Sequence, residues 1–176
     1  MSVDEFVPWA ERQSERWELF DGTPVAMSPE RIIHGDTKYR VARALDEAIA
    51  QAGVPCRFVL DSAAVRVDAR SLYQPDALVY CGDPLPSDTC EITNPVMVFE
   101  VLSPGNAMTD LRDKLQGYFR VPSVQHYLIV DPDKMLVIHH ARGEADAVAT
   151  RIVSDGALRL EPPGITLAVR DLFPAA

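Results

Sequence analysis

The stretch that most limits what this chain can fold into runs over residues 94–131, NPVMVFEVLSPGNAMTDLRDKLQGYFRVPSVQHYLIVD. Its apolar run Val96-Met97-Val98-Phe99 is too short for a buried helix and rich in β-branched and aromatic residues, which predicts a central strand. That strand ends on Glu100, a charge that is costly to bury unless a metal or a lysine sits beside it. The chain then breaks at Ser103-Pro104-Gly105-Asn106 and resumes as a helix, with Leu111, Lys114, Leu115 and Tyr118 on one stripe. Lys114 is therefore expected on the inward face. A second apolar strand, His126-Tyr127-Leu128-Ile129-Val130, ends on Asp131. Strand, helix and strand with apolar strands throughout is a βαβ crossover, in which the strands run parallel and the helix lies across their face. Sites in such units form at the carboxyl ends of the strands, where Glu100 lies with Lys114 on the following helix.

The flanking sequence supplies short elements. Residues 1–15 read as a lead-in or a short helix. Trp17–Phe20 and Thr23–Met27 flank Asp21-Gly22, the signature of a two-residue hairpin turn, and Pro24 makes the second strand an edge. Ser28 is expected to cap a long helix with Pro29 in its first turn. Val41, Ala44, Leu45, Ala48 and Ile49 repeat at helical spacing up to Gly53, and His34, Thr37 and Lys38 extend that stripe backwards. The inward face of this helix thus begins with polar groups. Strands are predicted over Arg57–Leu60 and Ala63–Val67, a loop over Ser71–Gln74, a strand over Ala77–Tyr80 entered through Pro75-Asp76, and a surface loop over 82–93. Tyr118 and Tyr127 are expected in the core. His139 and His140 alternate faces on a strand starting near Met135 and are expected at the surface. Turns at Asp155-Gly156 and Pro162-Pro163-Gly164 separate short strands in the tail. No repeat or linker interrupts the chain, and 176 residues at 47% hydrophobic suit a single domain over residues 1–176.

Charge and cysteines narrow the classes further. A formal charge of −9 without any Lys/Arg run means that electrostatics alone does not direct the chain to nucleic acid. Cys56, Cys81 and Cys90 are odd in number and form no CxxC pair, which predicts reduced thiols rather than a disulfide framework or a zinc site. The N-terminus is charged, and no segment approaches the roughly 18 apolar residues of a membrane span, so a cytoplasmic protein with no membrane partner is expected.

Two carboxylates on adjacent core strands, Asp76 and Glu100, with Lys114 presented by the next helix, form a set that chemistry can use. Hard divalent cations take carboxylate oxygens and keep other positions for water and phosphate. Such an ion activates water and stabilises a phosphoryl transition state, while an ammonium orients the nucleophile or offsets developing charge. Spacing alone equally allows Asp76 to cap a strand and Glu100 to pair with Lys114 as a structural ion pair.

The ordered set of Glu18 in a hairpin, His34 in the long helix, Pro75-Asp76, Phe99-Glu100-Val101-Leu102-Ser103-Pro104, Asp110, Lys114, Tyr118 and Tyr127-Leu128-Ile129-Val130-Asp131 resembles the Uma-type bacterial family of restriction-endonuclease-like proteins. That family lies in the PD-(D/E)XK nuclease superfamily, and the resemblance runs from about Glu15 to Phe173. It implies an α/β (α+β) restriction-endonuclease-like fold, a mixed β-sheet flanked by helices with an N-terminal hairpin. It also implies phosphodiester hydrolysis dependent on Mg²⁺ or Mn²⁺. The first half of the motif falls on Pro75 and Asp76 and the second acid on Glu100, with the Val101 carbonyl completing the metal shell. The lysine that the superfamily places two residues after the acid is Leu102 here. The resemblance implies a lysine migrated to Lys114, to which the helix stripe points independently. Glu18 resembles the extra acid that many superfamily members bring from an N-terminal element. His34 resembles a family position, and Asp110 is placed to pair with Lys114 one turn on.

The expected function is a Mg²⁺- or Mn²⁺-dependent endonuclease acting on nucleic acid, DNA first, with catalytic Asp76, Glu100, Lys114 and Glu18. Arg31, Lys38, Arg40 and Arg43 near the long helix could gather positive charge, and a homodimer could build the groove. The alternative is a non-catalytic binding or regulatory protein on the same scaffold, which Leu102 and the acidity favour. Paired acids also serve glycosidases, but the lysine and the small size speak against that chemistry.

Overall fold

The structure, a computed structural model, describes residues 1–103 and 108–174, and the side chains of all of these except 108–110 and 146. The expected break at Pro104-Gly105-Asn106 and the expected Asp110–Lys114 pair lie outside the described residues.

Helix α1 (Val3–Ala10) starts on a capping box in which Ser2 and Glu5 satisfy each other's backbone N–H groups. The Asp21-Gly22 turn joins β1 (Trp17–Phe20) to β2 (Thr23–Ala26), with Asp21 and Gly22 both at positive φ as a two-residue turn demands. Next come α2 (Ile32–Ala52), closed by Gly53 in the left-handed region, then β3 (Cys56–Leu60) and β4 (Val65–Asp68). Residues Ser71–Tyr73, expected as loop, form β5, because β1 and β4 pair on either side of them. The remaining elements are β6 (Ala77–Cys81), β7 (Pro95–Val101), α3 (Met108–Arg120), β8 (His126–Asp131), β9 (Leu136–Arg142), β10 (Val148–Val153), β11 (Ala157–Leu160) and β12 (Ile165–Ala168).

Six strands form a mixed sheet in the order β10-β9-β8-β7-β6-β3, and a smaller sheet runs β2-β1-β5-β4 with the Pro24 strand at its edge. Only β7 and β8 are parallel in the large sheet, as the crossover requires. Helix α2 covers one face, where Val41, Leu45 and Ala48 pack with Ala77, Val79, Met97, Phe99 and Leu128. Helix α3 belongs to the other face, where Tyr118 packs with Leu78, Val98, Tyr127 and Ile129. Alternation along β6 and β7 splits their side chains between the two faces. Each large apolar side chain buried in this way contributes roughly 1.5–3 kcal/mol.

Three local expectations are corrected by tertiary pairing. The long helix starts at Ile32 with Arg31 as an N-cap that makes no side-chain cap bond, not at Ser28. Eight residues of helix would separate Glu30 from Lys38 by about 12 Å along the axis. Glu30 precedes the helix, and from there its side chain accepts from Lys38. Cys56 and Cys81, expected as thiols, form a disulfide; they are register partners on β3 and β6, with Cα atoms 3.9 Å apart. Cys90 is free and exposed. His139 and His140, expected at the surface, are both buried because β10 pairs outside β9. His139 contacts His126 and accepts from Arg151, while His140 contacts Thr150 on the other face.

Gly117 ties α3 to the smaller sheet. A Cβ there would lie 2.4 Å from Cε2 of Tyr73. Tyr73 cannot give way easily, being stacked on Phe20 and edge-on to Tyr118. Alanine ordinarily stabilises a helix interior over glycine. Here Gly117→Ala should instead destabilise the protein by about 1–3 kcal/mol, read as a lower urea midpoint at unchanged slope.

Candidate active site

The antiparallel register of β6 on β7 pairs Ala77 with Phe99, so the entrance of β6 lies beside the carboxyl end of β7. Asp76, at that entrance, accepts a hydrogen bond on Oδ2 from the Val101 N–H, one residue beyond Glu100. Gln74, two residues before Asp76, donates its N–H to Glu18 Oε1 at 2.7 Å. Three acids from the hairpin, the β5–β6 turn and β7 are thereby held by backbone groups or strand register around one strand end. All three are buried.

Two lysines from opposite faces of the sheet reach these acids. Lys114 of α3, 4% exposed, places Nζ 3.0 Å from Glu18 Oε1 and 3.0 Å from Glu100 Oε1. The inward direction read from the helix stripe is therefore the one the structure has. Tyr118, one turn further on and expected only as core, donates its hydroxyl to Glu100 Oε1 at 2.7 Å. Lys38 of α2, also buried, places Nζ 2.8 Å from Asp76 Oδ1 and 3.0 Å from Asp61 Oδ1, and it donates to Glu30. Burial draws the Lys38 pKa down, but the charge of Asp76 and the bonds to Asp76, Glu30 and Asp61 outweigh it, so the ammonium is held charged.

The acids respond in the opposite sense. Burial raises the Glu100 pKa to about 8, against the pull of Lys114 and with the charges of Asp76 and Glu18 adding to the rise. Burial also raises Asp76, more than the Lys38 charge lowers it. Five carboxyl groups thus gather around two lysines, with Arg16 also on Asp61, and such crowding of acids is of the kind a hard cation relieves. Among the described residues, Glu30, Asp61 and Asp76 offer carboxylate oxygens all within 4.8 Å of one another. The donor chemistry therefore fits a hard divalent cation on the Asp76 side of the site.

The structure brings Asp76, Glu100, Lys114 and Glu18 together. Val101 contributes its N–H to Asp76. Leu102, in the motif's lysine position, packs with the apolar cluster under α3, and its carbonyl accepts from His34 Nε2 at 2.9 Å. His34 is thereby an element-to-element tie, 1% exposed, rather than a group on the acids. Lys38 cannot join an exposed basic patch, Arg31 is bridged to Asp133, and Arg43 to Glu47. Sequence reasoning missed Glu30, Asp61 and Lys38 as members of the site. For Lys38 the signal was present, since it stands on the inward stripe of its helix as Lys114 does on its own.

A mixed sheet flanked by helices, with acids and lysines converging at its central strand ends, is a nuclease-like α+β arrangement. The chain belongs to the Uma2 family, whose model, described as "Putative restriction endonuclease", matches residues 3–170. Two Synechocystis proteins, both described as uncharacterized, are similar across most of the chain. One is 28% identical over 175 residues, 98% of this chain and 91% of that protein. The other is 24% identical over 160 residues, 89% of this chain and 90% of that protein. A crystal structure of a "putative nuclease" from Anabaena variabilis has the same fold, with a TM-score of 0.79 at 16% identity over 98% of this chain and 97% of that one. No helix among the described residues is long and apolar enough to cross a membrane.

Because the folded-state pKa of Glu100 lies above its ordinary value of 4.5, its contribution to stability is full below 4.5 and is lost as pH rises through about 8. In EDTA, wild type should lose stability between pH 6 and pH 9. Glu100→Gln should lose markedly less over the same interval, which urea melts at the two pH values would measure.

Proposed function

We propose that the protein is a metal-dependent endonuclease hydrolysing phosphodiester bonds of nucleic acid, with DNA the first substrate to test. The observation that carries this reading is the meeting of Asp76, Glu100 and Lys114 at the ends of β6 and β7, with carboxyl groups crowded around the lysines. Asp76 and Glu100 would hold Mg²⁺ or Mn²⁺, with the Val101 carbonyl as a further ligand. When bound, such an ion supplies a more acidic water and a clamp on phosphoryl oxygen.

The chain's own residues do the rest. Lys114 offsets charge developing on the phosphate or orients the attacking water, and Glu18 is its second carboxylate partner beside Glu100. Tyr118 fixes Glu100 Oε1, so the carboxylate presents one face. A lysine delivered by α3 reaches the acid that a lysine at the Leu102 position would have served.

The second reading, a non-catalytic protein on the same scaffold, is favoured by the ion pairs that already engage every acid of the site. The two differ in one assay. Plasmid and single-stranded DNA are incubated with Mg²⁺ and with Mn²⁺, using wild type, Glu100→Gln and Lys114→Met purified alike and matched for circular dichroism. Cleavage by wild type, lost by about 10²-fold or more in both variants, is the expected result. Cleavage that persists in Glu100→Gln would place the activity elsewhere. Absence of cleavage by wild type would favour the binding protein.

A further inference from the structure

The side chains that fit a divalent ion best already hold a cation. Glu30, Asp61 and Asp76 are the three acids on Lys38 Nζ, and they are also the three whose oxygens cluster within 4.8 Å. Asp76 has no idle oxygen: Oδ2 takes the Val101 N–H and Oδ1 takes Lys38 at 2.8 Å. An ion bound to Asp76 Oδ1 would stand next to the ammonium, in a buried setting where like charges repel strongly.

Resting on the metal-dependent reading above, we propose that Lys38 is a resident counter-cation, and that a divalent ion enters at Asp76 only as the ammonium withdraws from it. The acids are graded for such a withdrawal. The Asp76 side chain is 9% exposed, whereas those of Glu30 and Asp61 are 36% and 37% exposed. Lys38 can leave the buried acid and keep its outer partners, on a flexible four-carbon stem. Arg16 also binds Asp61, at 3.2 Å, and so holds that outer acid in place while the lysine moves. Lys38 is thus a positioning residue that sets how readily the site loads, whereas Lys114, on Glu18 and Glu100, stays with the acid of β7. The arrangement keeps the buried Asp76 compensated in the absence of metal, which an unpaired carboxylate would not be.

The test is metal binding rather than cleavage. Calorimetry with Mn²⁺ compares wild type, Lys38→Met and Lys134→Met, the last being an exposed lysine whose loss changes the net charge equally. Lys38→Met should bind about tenfold tighter or more, and Lys134→Met should match wild type. A folded Lys38→Met that binds no tighter than wild type, or a Lys134→Met that gains as much, overturns the role of Lys38. Binding by neither wild type nor Lys38→Met overturns the metal-dependent reading itself. Should Lys38→Met fail to fold, wild type decides. The chain has three lysines, Lys38, Lys114 and Lys134, so their ammonium NMR signals are readily assigned. The Lys38 signal should shift at saturating Mg²⁺ while that of Lys134 stays, and an unmoved Lys38 signal refutes the proposal.

Discussion

The contact on which the site depends is the Lys114 ammonium set between Glu18 and Glu100. It joins three parts of the molecule that share no backbone pairing: the N-terminal hairpin, the central strand β7 and helix α3. Without it, two carboxylates would be buried on the α3 side with Tyr118 as the main remaining donor to Glu100. The cost of removing one partner from a buried ion pair is typically about 3–5 kcal/mol, a large fraction of what holds an ordinary domain folded. Stability and the proposed chemistry therefore draw on the same ammonium, and Gly117 lets α3 approach Tyr73 closely.

Much of this was legible in the chain itself, for physical reasons. The crossover from β7 to β8 follows from two apolar runs around a helical stripe, and Lys114 follows from its place on that stripe. Asp76 beside Glu100 follows only once β6 and β7 are seen to be antiparallel, which places an entrance against an exit. Lys38 lay on an equally plain stripe, yet its partners could not be read, because they gather from the segment before α2, the turn after β3 and the entrance of β6. Asp61 there adopts positive φ, a conformation that aspartate tolerates and that local sequence announces weakly.

The remaining corrections among strands and cysteines share one cause, which is pairing with a neighbouring strand, near in sequence for β4–β5 and β9–β10 and distant for β1–β5 and β3–β6. Cys56 meets Cys81, and Ser71–Tyr73 becomes a strand, through pairings that no local pattern encodes. His139 and His140 are buried because β10 pairs alongside β9. Cysteine spacing and alternation describe one segment at a time, whereas burial is decided by neighbours.

The hydrogen bond from the Val101 N–H to Asp76 makes the two central acids parts of one frame, since the strand that carries Glu100 also orients its neighbour. The counter-charges come from elsewhere, one from each helical layer on either side of the sheet. Division of this kind separates what is fixed from what is adjustable. The sheet sets the spacing of Asp76 and Glu100, whereas each helix sets one counter-charge, so a change confined to either helix acts on the charge balance of the centre without redrawing the sheet.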